Sequence, residues 1–252
     1  MLGNKRVLAV VPARAGSKGL PGKNYRDLLG KPLFMWSVEA GIQSKYVDEV
    51  VVSSNCPECE NIYHDYITKN IREFKNGVDN IGFIIRPEEL STGTAKSEDA
   101  LIHSLKELDE KYDLKYDVVI MLQPTSPCRL NNLLDTALEE YELGRHDSLL
   151  TATKDTPFLW QKVDGNWEHT VDKNDCCNRK MRQEFNEEEF VYHDNGCIYI
   201  TDVRVLMETG CRIGSYPYLL ETSGINSLQI DEEHDFELIE QMAKIKGLKT
   251  LT

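Results

Sequence analysis

The chain lacks any hydrophobic run long enough for a membrane; none of its apolar stretches approaches the roughly 20 residues a transmembrane helix needs. Lys5 and Arg6 precede an apolar segment, but it covers only Val7 to Val11 before Pro12 and Arg14 interrupt it, too short for a secretory core. Positive balance is missing too. A net charge of −13 over 252 residues argues against a nucleic-acid-binding face, and together these features predict a cytoplasmic protein with neither membrane nor nucleic-acid partner. No paired cysteine framework is present. Seven scattered cysteines fit reduced thiols, and Cys56-Pro57-Glu58-Cys59, with His64 nearby, has no second pair to complete a zinc site. Two idle thiols at a helix start are expected there. Internal repeats, low-complexity segments and obvious linkers are also absent, so residues 1–252 read as one domain.

One local absence is more informative. Residues 12 to 24 contain no acid, although the chain as a whole is acidic; they hold Arg14, Lys18 and Lys23 with Gly16, Gly19 and Gly22. This loop directly follows the β-branched run Val7–Val11. Glycines let backbone N–H groups approach phosphate oxygens, and three cations offset a charge of about −4, so a triphosphate is the ligand chemistry expected. Walker A does not fit: five residues separate Gly16 from Gly22, and Asn24 rather than Ser or Thr follows Lys23.

The rest of the chain repeats strand, loop and helix. Strands are expected at residues 47–54, 81–85, 117–122 and 148–153, and helices at 33–44, 96–108 and 131–143, with Pro32 in a first helical turn. The strands are continuous apolar runs rather than alternating ones, the pattern of a mostly parallel sheet covered by helices on both faces. Ligands of such sheets bind where the strands' carboxyl ends gather their loops, so the basic loop, the loop from Arg86 and the loop Gln123–Arg129 should converge. Residues about 154–192 are polar and form an excursion, opening with a hairpin that turns at Asp164-Gly165. Strand returns at Asn195–Thr201, and a terminal helix runs from about Glu233 to Lys246.

Five ordered blocks resemble the acylneuraminate cytidylyltransferases, or CMP-sialic acid synthetases. They are Ala13–Gly19 with Lys23-Asn24; Arg86-Pro87-x-Glu89-Leu90 with Thr94-Ala95-x-Ser97; Leu122–Pro127 with Arg129; Asn195-Gly196-x-Ile198-Tyr199-Ile200; and Ile230-Asp231 with Asp235-Phe236. Tyr192-His193-Asp194 is similar to the legionaminate and pseudaminate branches. The resemblance implies a Rossmann-like nucleotide-diphospho-sugar transferase fold and a homodimer with a protruding dimerisation arm. It also implies Mg²⁺-assisted transfer of CMP from CTP to a nine-carbon 2-keto sugar acid, a nonulosonate. By resemblance Arg14, Ser17, Lys18 and Lys23 hold the triphosphate, and Asn24, Arg86 and Ser97 contact the cytidine. Gln123, Asn195 and Tyr199 face the sugar. Lys23, Arg14 and Asp231 carry catalysis, with Asp231 as metal ligand.

The sequence also departs from the family. An Asp-Ile-Asp motif is usual before the terminal helix, but Gln229 stands in the first place, and an amide is a poor ligand for a hard dication. In the excursion, Arg182 is the best match for the arginine that meets the sugar carboxylate, with Arg179 and Arg145 as competitors. The alternatives are a synthetase for 3-deoxy-octulosonate, a GTP-using relative, or a nucleotide-binding regulator with impaired catalysis.

Overall fold

The computed structural model describes residues 2–16, 19–70, 80–130, 132–169 and 180–247. Its elements in chain order are β1 (Val7–Pro12), β2 (Asp27–Leu28), β3 (Lys31–Pro32), α1 (Leu33–Gln43), β4 (Glu49–Ser54), α2 (Pro57–Asn70), β5 (Ile81–Ile85), α3 (Ser97–Tyr112) and β6 (Val118–Met121). Then follow α4 (Leu133–Leu143), β7 (Ser148–Asp155), β8 (Trp160–Val163), β9 (Asn166–His169), β10 (Val191–Asp202), α5 (Val203–Thr209), β11 (Pro217–Glu221) and α6 (Glu233–Ile245).

Seven strands form one sheet in the order β11-β7-β10-β6-β1-β4-β5. Its pairs are parallel except where β10 runs against both β6 and β7. The side chains explain why the strands read as unbroken apolar runs. In β1, Val7, Ala9 and Val11 enter the core shared with Phe34, Val38 and Leu138, while Leu8 and Val10 enter the one shared with Leu101, Leu105 and Leu206. Strands β4 and β6 divide their residues the same way. Both faces are thus dry and helix-covered, as expected for a parallel sheet. A third apolar cluster seats α6 through Phe236 and Ile239 against Leu33 and Trp36.

Several boundaries moved, among them that of β10, which begins at Val191 instead of Asn195 and so takes in the end of the expected excursion. Pro32 sits in β3, one residue before α1, with φ −55° and ψ 137°: its ring fixes φ, and the extended ψ keeps it outside the helix. Helix α3 runs on to Tyr112, beyond its last core residue Leu108, through a polar turn in which Lys111 pairs with Glu107. The hairpin is as expected, β8 and β9 joined by Asp164 (φ 50°) and Gly165 (φ 87°), and it forms its own two-stranded sheet.

Candidate active site

The carboxyl ends of β1, β5 and β6 open onto a cleft of about 310 Å³. Its lining includes Arg14, Lys23, Asn24, Arg86, Ser97, Gln123 and Asp231, so seven of the twelve expected site residues come together from loops more than 200 positions apart in sequence. Ser17 and Lys18 lie outside the described residues. The loop after β1 is held from below: Ala13 N donates to Ser53 O at 2.9 Å, Ser54 Oγ donates to Ala13 O, and Ala15 N donates to Asn55 Oδ1 at 3.0 Å. Gly22 turns the chain with φ 70°, which places Lys23 and Asn24 pointing inward and buried. Asn24 Nδ2 donates to Arg14 O at 2.8 Å, and Lys23 Nζ donates to Ile230 O at 2.6 Å and to Asp231 Oδ1 at 3.2 Å. A Cβ on Gly19 would lie 2.5 Å from Asp231 O, so only glycine lets the basic loop rest on that segment.

Arg86 carries the clearest electrostatic anomaly. It is 5% exposed, its Nε donates to Ser91 Oγ at 3.1 Å, and its buried Nη2 has no hydrogen-bond partner. Burial and then the neighbouring Arg14 push its pKa down to about 10. A buried guanidinium beside another guanidinium, with a donor left over, is costly unless an anion arrives. Arg14 itself is aimed by its Nη1 bond to Thr92 O at 2.9 Å.

The facing wall is different in kind. Gln229 Nε2 donates to Asn195 O, and Gly196, at φ 64°, lies so close that a Cβ would collide with the side chains of Gln123 and Gln229. Asn195 does not line the cleft: its buried amide bonds Thr151, Thr153 and Thr222, at 2.8, 2.9 and 2.7 Å. Tyr199 is also outside the lining, 4% exposed, with its hydroxyl donating to Asp194 Oδ1 at 2.7 Å. Burial, then that bond, raises its pKa to about 12, so the phenol remains a donor. Arg182 is exposed in a short turn away from the cleft lining. Arg145 precedes β7, which runs parallel to β6, so it stands at the opposite end of the sheet from the cleft and drops out of competition for the carboxylate role. Arg179 lies outside the described residues.

Sequence reasoning missed Thr92, Lys96 and Thr125, all in the lining. Lys96 had a usable signal, a cation immediately before Ser97 at the start of an expected helix. Arg129, quoted in a motif but given no role, clamps the far wall by donating to Cys197 O, Ser37 Oγ and Gln123 O. Cys56 and Cys59 are buried thiols at the start of α2, as expected, with Cys59 N donating to Cys56 Sγ at 3.4 Å. Among the described residues no cluster of three or more His, Cys, Asp or Glu could hold a metal. Asp231, its side chain 70% exposed beside Lys23, supplies one hard carboxylate, which fits Mg²⁺ held otherwise by phosphates and water.

A doubly covered, mainly parallel sheet with a cationic cleft at its strand ends defines an α/β protein whose cleft is chemically suited to an anionic ligand. The chain belongs to the cytidylyltransferase family, which it matches over residues 8–248. It is 31% identical to the CMP-N,N'-diacetyllegionaminic acid synthase of Legionella pneumophila over 251 residues, covering 95% of this chain and 97% of that protein. It is 30% identical to the N-acylneuraminate cytidylyltransferase of Escherichia coli over 237 residues, 92% of this chain but 51% of that one. The corresponding protein of Oncorhynchus mykiss is 33% identical over 242 residues, with 95% and 51% covered. The chain therefore spans about half the length of these two relatives. Among solved structures, a CMP:2-keto-3-deoxy-manno-octonic acid synthetase complexed with CTP aligns with a TM-score of 0.61 at 16% identity, covering 96% of this chain and 99% of that one. A 4-diphosphocytidyl-2C-methyl-D-erythritol synthase from Anaerococcus prevotii aligns at 0.66 and 13%, covering 96% and 98%. These two likenesses speak to the fold alone, and they agree with the Rossmann-like architecture read from the sequence.

Proposed function

We propose that this chain transfers CMP from CTP to a nonulosonate, giving the CMP-sugar and pyrophosphate. The observation that carries the reading is the buried, partnerless Nη2 of Arg86 beside Arg14, a place made for an anion at the ends of the parallel strands. In the reaction the oxygen of the sugar's anomeric hydroxyl bonds to the α-phosphorus and gives up its proton to water, while the bond from that phosphorus to the α–β bridging oxygen breaks and its electron pair leaves with pyrophosphate. Arg14 and Lys23 orient the triphosphate and neutralise charge that grows on the departing pyrophosphate; no covalent enzyme intermediate is needed. Arg86, which the resemblance puts at the cytidine, meets the phosphates as well in this reading, because its free donor lies beside Arg14. Ser17 and Lys18 belong to the same cradle. Asn24 and Ser97 read the cytidine, since an amide and a hydroxyl can match a base edge. Asp231 would hold Mg²⁺, which supplies further neutralisation of the phosphates. Gln123 faces the sugar, and Arg182, with Asn195 and Tyr199 behind the wall, belongs to that side. The similarity to both legionaminate and acylneuraminate relatives supports a nonulosonate acceptor. A homodimer formed through the excursion is part of this reading, supported by Trp160 and Trp167, which the hairpin leaves 51% and 68% exposed; so is a cytoplasmic setting.

Pyrophosphate release measured with CTP, Mg²⁺ and a panel of nonulosonates tests it. Release with at least one acceptor is expected. CTP binding without turnover across the panel would leave a nucleotide-binding regulator instead.

A further inference from the structure

The two walls of the cleft are joined, behind the lining, by a chain of partly buried polar contacts. On the nucleotide wall, Ser97 and Lys96 line the cleft at the start of α3, and the next residue, Glu98, turns inward. Glu98 Oε1 accepts from Arg212 Nη1 at 2.5 Å, with the side chains 12% and 22% exposed. The Arg212 guanidinium carbon lies 4.4 Å from the centre of the Tyr199 ring. Tyr199 in turn donates to Asp194 Oδ1 at 2.7 Å, and the same oxygen accepts from Gly196 N at 3.1 Å. Gly196 is the residue whose missing Cβ lets Gln123 and Gln229 of the facing wall close up.

The strand is irregular where this chain of contacts ends. The pairing of β10 with β7 shifts register between Asp194 and Tyr199, so ladder hydrogen bonds do not fix Asn195 and Gly196 by themselves. Side chains fix them instead: Asn195 by three threonines, and Gly196 by Asp194, which Tyr199 holds. Arg212 is committed to this arrangement, with its Nη1 on Glu98, its face on the Tyr199 ring and its buried Nε unpartnered.

We infer that Arg212 and Tyr199 are positioning residues, bracing the Asp194–Gly196 bulge against Gln123 and Gln229 and tying it to the first turn of α3, so that nucleotide on one wall sets the acceptor wall. The brace itself is independent of the ligand's identity, whereas the coupling it transmits rests on the functional reading above.

Amide exchange at Gly196 separates the two. Without nucleotide, Tyr199→Phe keeps the ring but loses the bond to Asp194, and Gly196 exchange should quicken about tenfold. Arg212→Met should do the same from further away. Asp194→Asn retains a carbonyl that can accept both bonds and should leave exchange near wild type, whereas Asp194→Ala should not. Unchanged exchange in Tyr199→Phe, or a lowered melting temperature with no local change at Gly196, overturns the brace whether or not CTP binds. With CTP added, the nucleotide should tighten acceptor binding about tenfold in the wild type and much less in Tyr199→Phe, raising KM for the acceptor while CTP affinity stays within about twofold. Equal tightening in both overturns the coupling. A wild-type chain that binds no CTP overturns the functional reading, and the coupling with it, while the ligand-free exchange still judges the brace.

Discussion

On one wall of the cleft, Arg14, Lys23, Arg86 and Lys96 present four cations against one contacting carboxylate, Asp231; on the other, Gln229 bonds Asn195 O, and the Asn195 amide behind the lining is bonded to threonines. The first wall is electrostatically incomplete. The buried Arg86 guanidinium loses hydration in the folded chain and recovers the cost when an anion docks, so this wall should dominate affinity. The second wall is tied largely to the protein itself, through Gln229, Asn195 and Arg129. It contributes shape, set by the bulge at Gly196 and the clamp of Arg129, and should dominate which acceptor fits.

Lys23→Ala is the hardest blow to the first wall. It removes a cation that is buried and aimed by its bond to Ile230 O, and turnover should fall by about 10²- to 10³-fold, as for other groups that meet developing charge. Circular dichroism should remain native, because the side-chain bonds of Lys23, to Ile230 O and Asp231, lie outside the main sheet. Near-normal pyrophosphate release from this variant would move the phosphates elsewhere.

Gln229→Asp tests the second wall and should have a smaller effect. The shorter carboxylate cannot donate to Asn195 O, so it gives up that bond, worth about 1 kcal/mol, while adding a hard ligand next to Asp231. Mg²⁺ affinity of the CTP complex, read by calorimetry, should rise several-fold and KM for the acceptor should rise with it. An unchanged metal affinity would mean that position 229 serves only the wall.

These walls were not equally legible in the sequence. The basic loop stood out because a run without acids in an acidic chain is a local anomaly, and the strand ends followed from unbroken apolar runs such as Val7–Val11 and Val118–Met121. The far wall depends on a register shift in β10, which defeats period-two reasoning: Tyr199 carries a motif, yet its hydroxyl points to Asp194 instead of the cleft lining. Arg212 and Glu98 are joined across 114 positions, a pairing no spacing rule reveals. Arg145 entered as a carboxylate reader on residue type alone, and the direction of β7 removes it.

The smallest expected effect lies where the first wall is anchored. Asp235 accepts from both Asp231 N and Glu232 N at the start of α6, at 3.0 and 2.9 Å, and so fixes the segment against which Lys23 leans. Burial pushes its pKa up, but those two backbone donors, with His234 and Lys23 nearby, outweigh it and the net direction is down from 3.8. Its folded value lies below its unfolded one, so the stabilisation is full above about pH 4 and disappears as pH falls through the folded value. Asp235→Asn should therefore cost about 1 kcal/mol at pH 7, the worth of a charged group at a helix start, and the gap from wild type in urea melts should narrow as pH falls below about 4. A gap that does not narrow at all as pH is lowered would assign the loss to altered packing around Phe236 instead of to the carboxylate.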